Sequence, residues 1–483
     1  MEEKRIYNCH THTFTIDHVP NEFGKKLLPF LYRIFTMKFI KWYYKNFTSR
    51  GSERYKKWRH QFKTIRYGFI DILKWTIILQ WVNVIVFIII RWVFSILTNF
   101  FRVDFLFSKT TQEAIKRFRT LGRYSLYKEQ SKIFDLLEKT YEPGTRFVVL
   151  SMDMDYMGAG KAVKPYLEQL NELKIMKVNN KDSILPFLFL DPRRLKATKE
   201  LSGNDNYEIH AKELLSNMKF DGIKLYPALG YYPFDKELMS MYEFAQENQI
   251  PIISHCIAGT VYYRGTKQKE WDNHPILKYT RKKDEPQIPI PLPQTSNYRF
   301  TTNFTHPLNY HCLLNKDLLK EYIGYELDLS NLKICIAHFG GEEEWAKYMA
   351  DSWNNYNKNI NHECKEDYLK KNNTLTHGNQ RTIWWNASWL SIIYDLMVTY
   401  ENVYADVSFI LFNQELFPML KYLLEDEKVK NKILFGTDYY VVSQKNTEKE
   451  LYHNLRGYLG KELFDLISHD NPKNFLSTKM KQY

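Results

Sequence analysis

The sequence predicts an α/β protein built on a (β/α)₈ barrel. Eight short, continuously apolar segments recur along the chain, and continuous apolar runs are typical of strands buried on both faces. Helix-like segments such as 164–176, 235–249 and 413–426 lie between them, and this alternation favours parallel βα units. The chain of 483 residues is long enough for such a barrel. Its 44% apolar and 25% charged residues exclude a disordered or low-complexity protein.

The predicted strands follow one another with uneven spacing. They cover residues 5–14, 147–155, 185–191, 220–227, 250–256, 332–340, 403–409 and 432–438. About 130 residues separate the first strand from the second, although a minimal βαβ unit needs only about 30. We therefore predict a barrel formed by residues 1–18 and 145–483, and a large, basic and hydrophobic helical insertion over residues 19–144.

Histidines and an aspartate stand at the C-terminal ends of the predicted strands. His10 and His12 are two residues apart on the first strand, so their side chains share a face. His255 ends the fifth strand, His338 the sixth and Asp438 the eighth. Barrel active sites are built at this end of the strands. Neutral imidazoles with one carboxylate are ligands for a divalent metal such as Zn²⁺ or Mn²⁺. One such histidine is usually structural, but five residues in register with eight strands predict a metal site.

Several segments together resemble a known family, the amidohydrolase superfamily. More narrowly, the chain is similar to the amidohydrolase-related branch that includes aminocarboxymuconate-semialdehyde decarboxylase. The resemblance covers roughly residues 1–18 and 145–475, and the segment 20–140 has no counterpart in it. The matching segments are CHTHTF, FDGIKLYP, IPIISHC, THPLNYHCLLN leading into LKICIAHFGG, VYADVS and KILFGTD.

The resemblance implies a role for each of the strand-end residues. It implies that His10, His12, His255 and Asp438 hold a divalent metal, with Zn²⁺ expected ahead of Mn²⁺. Asp438 would also take a proton from the metal-bound water and later pass it to the leaving group. His338 would be the polarising or acid–base residue, or a ligand of a second metal.

Three further residues are candidates for substrate binding. Lys224 lies in the strand-four motif GIKLYP. The resemblance leaves open whether it is carboxylated and bridges two metals, or is an ordinary lysine that binds an acidic group. Tyr226 follows in the same motif, and Arg194 is a candidate for binding an anionic substrate.

The predicted activity is metal-dependent hydrolysis of an amide, ester, lactone or similar bond in a small substrate. The alternative is non-oxidative decarboxylation of a small unsaturated or aromatic acid, because the same residues support both reactions in this branch. A nuclease and an inactive, membrane-attached scaffold are the remaining alternatives. Retention of all five strand-end residues argues against the scaffold.

The formal charge of +13 is concentrated in one segment of the insertion. Residues 21–70 hold 13 Lys and Arg against two Glu, so this stretch carries +11 and the rest of the chain +2. Aromatic residues are interleaved with these charges, and the uncharged run 75–90 follows. A spanning helix needs about 20 apolar residues, so this run is short. One crossing would also separate the two strands that flank the insertion.

We therefore expect residues 21–101 to dock on an anionic membrane surface, or to pack against the barrel or a second copy of the chain. Nucleic acid is the least favoured partner. Five cysteines form no CxxC pair, and the N-terminus has no apolar stretch typical of a secretory signal. A reducing, cytoplasmic compartment with free thiols, and peripheral membrane association at most, is the expectation.

Overall fold

Eight parallel strands form the central sheet in a computed structural model. It describes residues 4–23, 127–180, 182–259, 261–280, 285–358 and 380–482. Two further strands, Asn273–Tyr279 and Ile288–Pro291, pair as a separate antiparallel hairpin. The strands are β1 (Tyr7–Thr11), β2 (Arg146–Leu150), β3 (Ile184–Phe189), β4 (Gly222–Leu225), β5 (Ile252–His255), β6 (Asn273–Tyr279), β7 (Ile288–Pro291), β8 (Ile334–Ala337), β9 (Val403–Asp406) and β10 (Ile433–Leu434).

The sheet is nearly closed into a barrel. Its spatial order is β1-β2-β3-β4-β5-β8-β9-β10, and each neighbouring pair is parallel. The backbone N–H of Cys9 donates to the carbonyl of Phe435 at 2.8 Å, and that of Asp438 donates to the carbonyl of His10 at 2.8 Å. These bonds join the last strand to the first. The predicted (β/α)₈ barrel is confirmed, and each strand lies within one residue of its predicted segment.

Helices alternate with the strands and cover the outside of the sheet. Shorter 3₁₀ turns precede several of them, as at Lys236–Leu238 and Gln414–Leu416. The α-helices are α1 (Gln130–Glu138), α2 (Tyr166–Asn179), α3 (Pro192–Thr198), α4 (Tyr207–Ser216), α5 (Met239–Glu247), α6 (Asn297–Thr305), α7 (Leu308–Leu314), α8 (Lys316–Ile323), α9 (Glu342–Lys358), α10 (Gln380–Asn386), α11 (Trp389–Thr399), α12 (Phe417–Glu425), α13 (Glu448–Asp465) and α14 (Asn471–Phe475).

The strands are buried on both faces and largely apolar, apart from polar residues such as His10, Lys224 and His255. Ile252 of β5 belongs to the large cluster shared with the helices, whereas its neighbour Ile253 belongs to a second cluster. That second cluster draws most of its side chains from strands, among them Cys9, Phe187 and Cys335. Alternate strand residues therefore fill the barrel interior and the layer beneath the helices.

Most of the predicted insertion lies outside the described residues. Of residues 19–144, the structure describes 19–23 and 127–144, and the latter stretch contains α1. The basic segment from residue 24 onward and the apolar run 75–90 are not among them, so their predicted partners remain predictions. None of the described helices is both long and apolar enough to cross a bilayer. The four described cysteines, Cys9, Cys256, Cys312 and Cys335, are buried free thiols.

Candidate metal centre

Two segments that meet where the barrel closes carry three of the predicted ligands. His10 lies on β1 and His12 directly after it, while Asp438 follows β10. Oδ1 of Asp438 lies 3.4 Å from Nε2 of His12 and 3.7 Å from Nε2 of His10. One donor atom from each residue falls within 4.8 Å of the others, a spacing that suits ligands of one ion.

The other two predicted residues form a pair beside this group. His255 is the last residue of β5, and His338 follows the last residue of β8. Nδ1 of His255 lies 2.9 Å from Nε2 of His338. The His255 ring also stacks on Tyr226, with 3.8 Å between ring centroids. The structure thus brings all five strand-end residues together at one end of the barrel.

Asp406 is a residue of the centre that the sequence analysis missed. It ends β9, and its Oδ2 lies 2.9 Å from Nδ1 of His10. Its Oδ1 accepts hydrogen bonds from the backbone N–H of His338 and of Ser408, both at 3.0 Å. Donor atoms of His10, His338 and Asp406 form a second group within 4.8 Å. The strand-end rule that selected the other five residues applies equally to this aspartate in VYADVS.

Hydrogen bonds fix the same tautomer in His10 and His12. Nδ1 of His12 faces the carbonyl of Leu150 at 3.0 Å, and a carbonyl only accepts, so Nδ1 carries the proton. Nδ1 of His10 faces the carboxylate of Asp406, which requires a proton there as well. In both rings Nε2 is therefore left with a free lone pair directed at Asp438.

The same argument extends to His255. The hydroxyl of Ser408 donates to Asp406, so its oxygen accepts from Nδ1 of His338 at 2.8 Å. Nε2 of His338 is then an acceptor for the N–H at Nδ1 of His255. This leaves Nε2 of His255 deprotonated. Neither it nor Nε2 of His10 has a hydrogen-bond partner among the described residues, although both atoms are buried.

The backbone at these strand ends is strained. His338 and Asp438 adopt φ values of +63° and +61°, and Phe339 and Phe409 adopt +44° and +59°. Non-glycine residues rarely occupy this left-handed region, and such strain clusters at functional sites. The surrounding barrel therefore holds two of the predicted functional residues in conformations that a free chain would avoid.

Burial keeps the histidines neutral. It lowers the pKa of His10, His255 and His338 well below the ordinary value, and nearby positive or histidine groups lower it further. Burial, with the charge of Lys224, lowers the pKa of His12 to about 3. All four imidazoles are therefore in the neutral form that binds metals at physiological pH.

Lys224 is a buried cationic group at the centre, close to the carboxyl groups of Asp406 and Asp438. Burial lowers the pKa of Lys224 to about 8, although Asp406 and Asp438 oppose this shift. Burial also raises the pKa of Asp438 well above its ordinary value, opposed by Lys224. Nζ of Lys224 has no hydrogen-bond partner among the described residues and lies 5.8 Å from the ring centroid of Tyr226.

A cleft of about 280 Å³ opens over these residues. His12, His255, His338 and Asp438 form part of its wall. The remaining wall combines aromatic and aliphatic side chains with three glycines, Lys445 and a run of three glutamates from the start of α9. These other lining residues include Phe14, Tyr226, Tyr298, Trp389, Phe409 and Phe412, and the glutamates are Glu342, Glu343 and Glu344.

Arg194, a predicted substrate-binding residue, is engaged elsewhere. Its guanidinium forms ion pairs with Asp153 at 2.5 Å and with Asp155 at 2.7 Å. It is not among the described residues that line the cleft. Tyr226 does line the cleft. Lys224 is fully buried and is not among the described residues that line the cleft.

Several solved structures are similar to this chain at low sequence identity. One is an uncharacterized TIM-barrel protein from Bordetella bronchiseptica, with 12% identity and a TM-score of 0.41, covering 77% of this chain and 92% of that one. An amidohydrolase II has 15% identity and a TM-score of 0.35, covering 64% of this chain and 76% of that one.

A third similar structure is a 5-carboxyvanillate decarboxylase from Novosphingobium aromaticivorans, crystallised with manganese. Its identity is 11% and its TM-score 0.39, covering 68% of this chain and 76% of that one. No protein-family model and no curated protein matches the chain.

Proposed function

We propose that this protein is a divalent-metal-dependent hydrolase of a small amide, ester, lactone or similar compound. His10, His12, His255 and Asp438 would hold the ion. The observation that carries this proposal is the shared tautomer: three buried imidazoles present an unprotonated Nε2, and two of these atoms lack any hydrogen-bond partner among the described residues. An unsatisfied buried acceptor is costly, and a metal ion would satisfy these atoms.

The donor set fits Zn²⁺ first and Mn²⁺ second, because it combines imidazole nitrogens with a single carboxylate. When bound, such an ion polarises a carbonyl oxygen and lowers the pKa of water to about 7. Asp438 would accept a proton from the attacking water and return it to the leaving group. The aromatic and aliphatic side chains of the cleft would hold the apolar part of the substrate.

His338 is the candidate acid–base residue because it lines the cleft together with His12 and Asp438. Ser408 fixes its ring through Nδ1. Nε2 is the atom available for a substrate, and it now accepts from His255. We propose that an O–H or N–H of water or substrate displaces the His255 N–H from this contact, so that Nε2 of His338 takes up its proton and returns it to the leaving group.

The metal requirement can be tested by measuring bound metal in purified wild type and in a His12→Ala, Asp438→Ala double variant. We expect one or two equivalents in the wild type, and loss of both metal and hydrolysis in the variant. His274→Ala is the matched control, because His274 is equally buried but hydrogen-bonds to Asn309, outside this centre. A double variant with wild-type metal content would contradict the ligand assignment.

A decarboxylase of a small unsaturated or aromatic acid is the second candidate. Lys224 favours it, because a buried ammonium without a hydrogen-bond partner among the described residues would neutralise a substrate carboxylate beside the metal ligands. A panel of aromatic esters, amides, lactones and carboxylic acids separates the candidates. Release of CO₂ from the acids without hydrolysis of the other compounds would favour the decarboxylase.

A further inference from the structure

Asn8 lies beneath the metal centre, and its carboxamide connects the two segments that carry ligands. It is fully buried on β1. Its Oδ1 accepts from the backbone N–H of His10 at 3.3 Å and from that of Thr437 at 3.2 Å. Thr437 directly precedes Asp438. Oδ1 of Asn8 therefore holds the backbone of the proposed ligand His10 and of Thr437, the residue before the proposed ligand Asp438.

The other end of the carboxamide is held by a buried network. Nδ2 of Asn8 donates to the hydroxyl oxygens of Thr437 at 2.8 Å and Tyr141 at 3.0 Å, and to Oε1 of Glu448 at 3.2 Å. The hydroxyls of Tyr141 and Thr437 in turn donate to that same Oε1, each at 2.7 Å. Glu448 is at the start of α13, so the network ties this helix to both ligand segments.

These partners settle the orientation of the carboxamide. Backbone N–H groups only donate, so the atom that faces His10 and Thr437 must be the oxygen. The hydroxyls of Tyr141 and Thr437 use their protons on Oε1 of Glu448, so their oxygens accept and suit the amide nitrogen. A flipped carboxamide would place donor against donor on one side of Asn8.

The position of Asn8 matters because the barrel closes there with little regular pairing. β10 has only two residues, and the bridge from β1 to the segment after it is an isolated pair, Thr11 with Tyr439. The register of β1 also shifts between Asn8 and Thr11. The acceptor oxygen of Asn8 therefore adds hydrogen bonds to the sparse backbone pairing that sets the separation of His10 and Asp438.

We propose that Asn8 is a positioning residue for the metal centre, held in its orientation by Glu448. It acts on the ion only through the backbone of His10 and Thr437. This inference rests on the proposed function, since it assumes that His10 and Asp438 bind one ion. It assigns to the network a role in metal affinity beyond its contribution to stability.

The test compares Zn²⁺ affinity, measured by competition with a chromogenic chelator, across a set of variants of the full chain. Asn8→Ala and Asn8→Asp should each weaken binding by about 10–100-fold, the usual effect of removing support from metal ligands. Asn8→Asp keeps the acceptors but loses the donor to Glu448. Combining it with Glu448→Gln restores a donor and an acceptor in reversed order, so affinity should return to within about threefold of the wild type.

Asn309→Ala is the matched control. Asn309 is also fully buried, and its amide donates to the carbonyls of Asn303 and Phe304, away from the centre. It should lower the thermal stability of the metal-free protein and leave Zn²⁺ affinity unchanged. The visible spectrum of the Co²⁺-loaded protein should change in the Asn8 variants and not in this control.

The outcomes separate the inference from the proposed function. A wild type that binds no divalent ion would overturn both. Wild-type binding with unchanged affinity in Asn8→Ala and Asn8→Asp would overturn the inference alone. If Asn8→Ala does not fold, then failure of Glu448→Gln to rescue the affinity of Asn8→Asp would overturn it instead.

Discussion

Asp406 and His10 form a buried pair, with 2.9 Å between Oδ2 of the carboxylate and Nδ1 of the imidazole, and both side chains are fully buried. The carboxylate keeps the proton of His10 on Nδ1 and so leaves Nε2 free toward Asp438. The same carboxylate accepts from the backbone of His338. The side chain of Asp406 therefore orients the proposed ligand His10. It also anchors His338, which lies beside the proposed ligand His255.

Asp406→Asn should weaken metal binding by about 10–100-fold, because changing the hydrogen-bond partner of a metal-binding histidine typically costs that much affinity. The amide nitrogen would face Nδ1 of His10 as a donor, and the ring would move its proton to Nε2. Zn²⁺ affinity measured by chelator competition is the readout. Asp465→Asn is the control, since Asp465 pairs with Lys461 on the outer helix α13. Equal affinities in both variants would contradict the tautomer assignment.

His338→Ala should retain metal at saturating concentration while kcat falls by about 10²–10⁴, the range for a positioned acid–base group. The measurement uses the best substrate of the hydrolysis panel, with metal content determined on the same samples. A parallel fall in metal content would indicate instead that His338 is a ligand and that the centre binds two ions.

Glu448→Gln should change how stability depends on pH. Burial raises the pKa of Glu448 to about 7, against an ordinary value near 4.5. Between these two pH values the folded protein binds more protons than the unfolded chain, so the contribution of Glu448 to stability falls as pH rises through this window. Gln is neutral at every pH, so the Glu448→Gln variant does not lose this stability as the pH rises.

Urea unfolding of metal-free wild type and Glu448→Gln at pH 5 and pH 8 measures this effect. The variant should gain relative stability from pH 5 to pH 8, by at most about 3 kcal/mol. Contributions from other titrating groups cancel in the difference. The prediction fails if the difference between the two proteins is the same at both pH values.

The strand ends were predictable from sequence because a barrel strand is a short, continuous apolar run, and polar residues stand at its C-terminal end. This rule gave His10, His12, His255, His338 and Asp438. It did not give the hydrogen bond between His255 and His338, because residues 83 positions apart meet only through the order of the strands. Nor did it indicate that Arg194 would be drawn to Asp153, since ion-pair partners depend on loop geometry.

The basic segment 21–70 predicts sedimentation of the protein with anionic liposomes. Each Lys or Arg near such a surface contributes about 1 kcal/mol, and apolar burial adds to it. Binding should weaken at high salt and be nearly absent with neutral liposomes, which serve as the control. If the protein does not sediment with anionic liposomes and size-exclusion chromatography shows a soluble oligomer, the segment is better explained as one that mediates oligomer assembly.

Gly436 and Gly457 offer a paired test of the tight barrel closure beside His10. A Cβ added at Gly436 would lie 2.8 Å from Cβ of His10, closer than such atoms approach, and 3.4 Å from Cβ of Ser408. Gly436→Ala should therefore displace His10, cost about 1–3 kcal/mol of stability, and weaken Zn²⁺ binding at least tenfold.

Gly457 is exposed on α13, and a Cβ added there would meet no atom within 4 Å. Gly457→Ala should stabilise the protein by up to about 1 kcal/mol through helix propensity and leave Zn²⁺ affinity unchanged. Thermal unfolding and chelator competition on both variants check the pair. Gly436→Ala with wild-type affinity would mean that the centre tolerates a shift of His10, and Nε2 of His10 would then not be a required ligand.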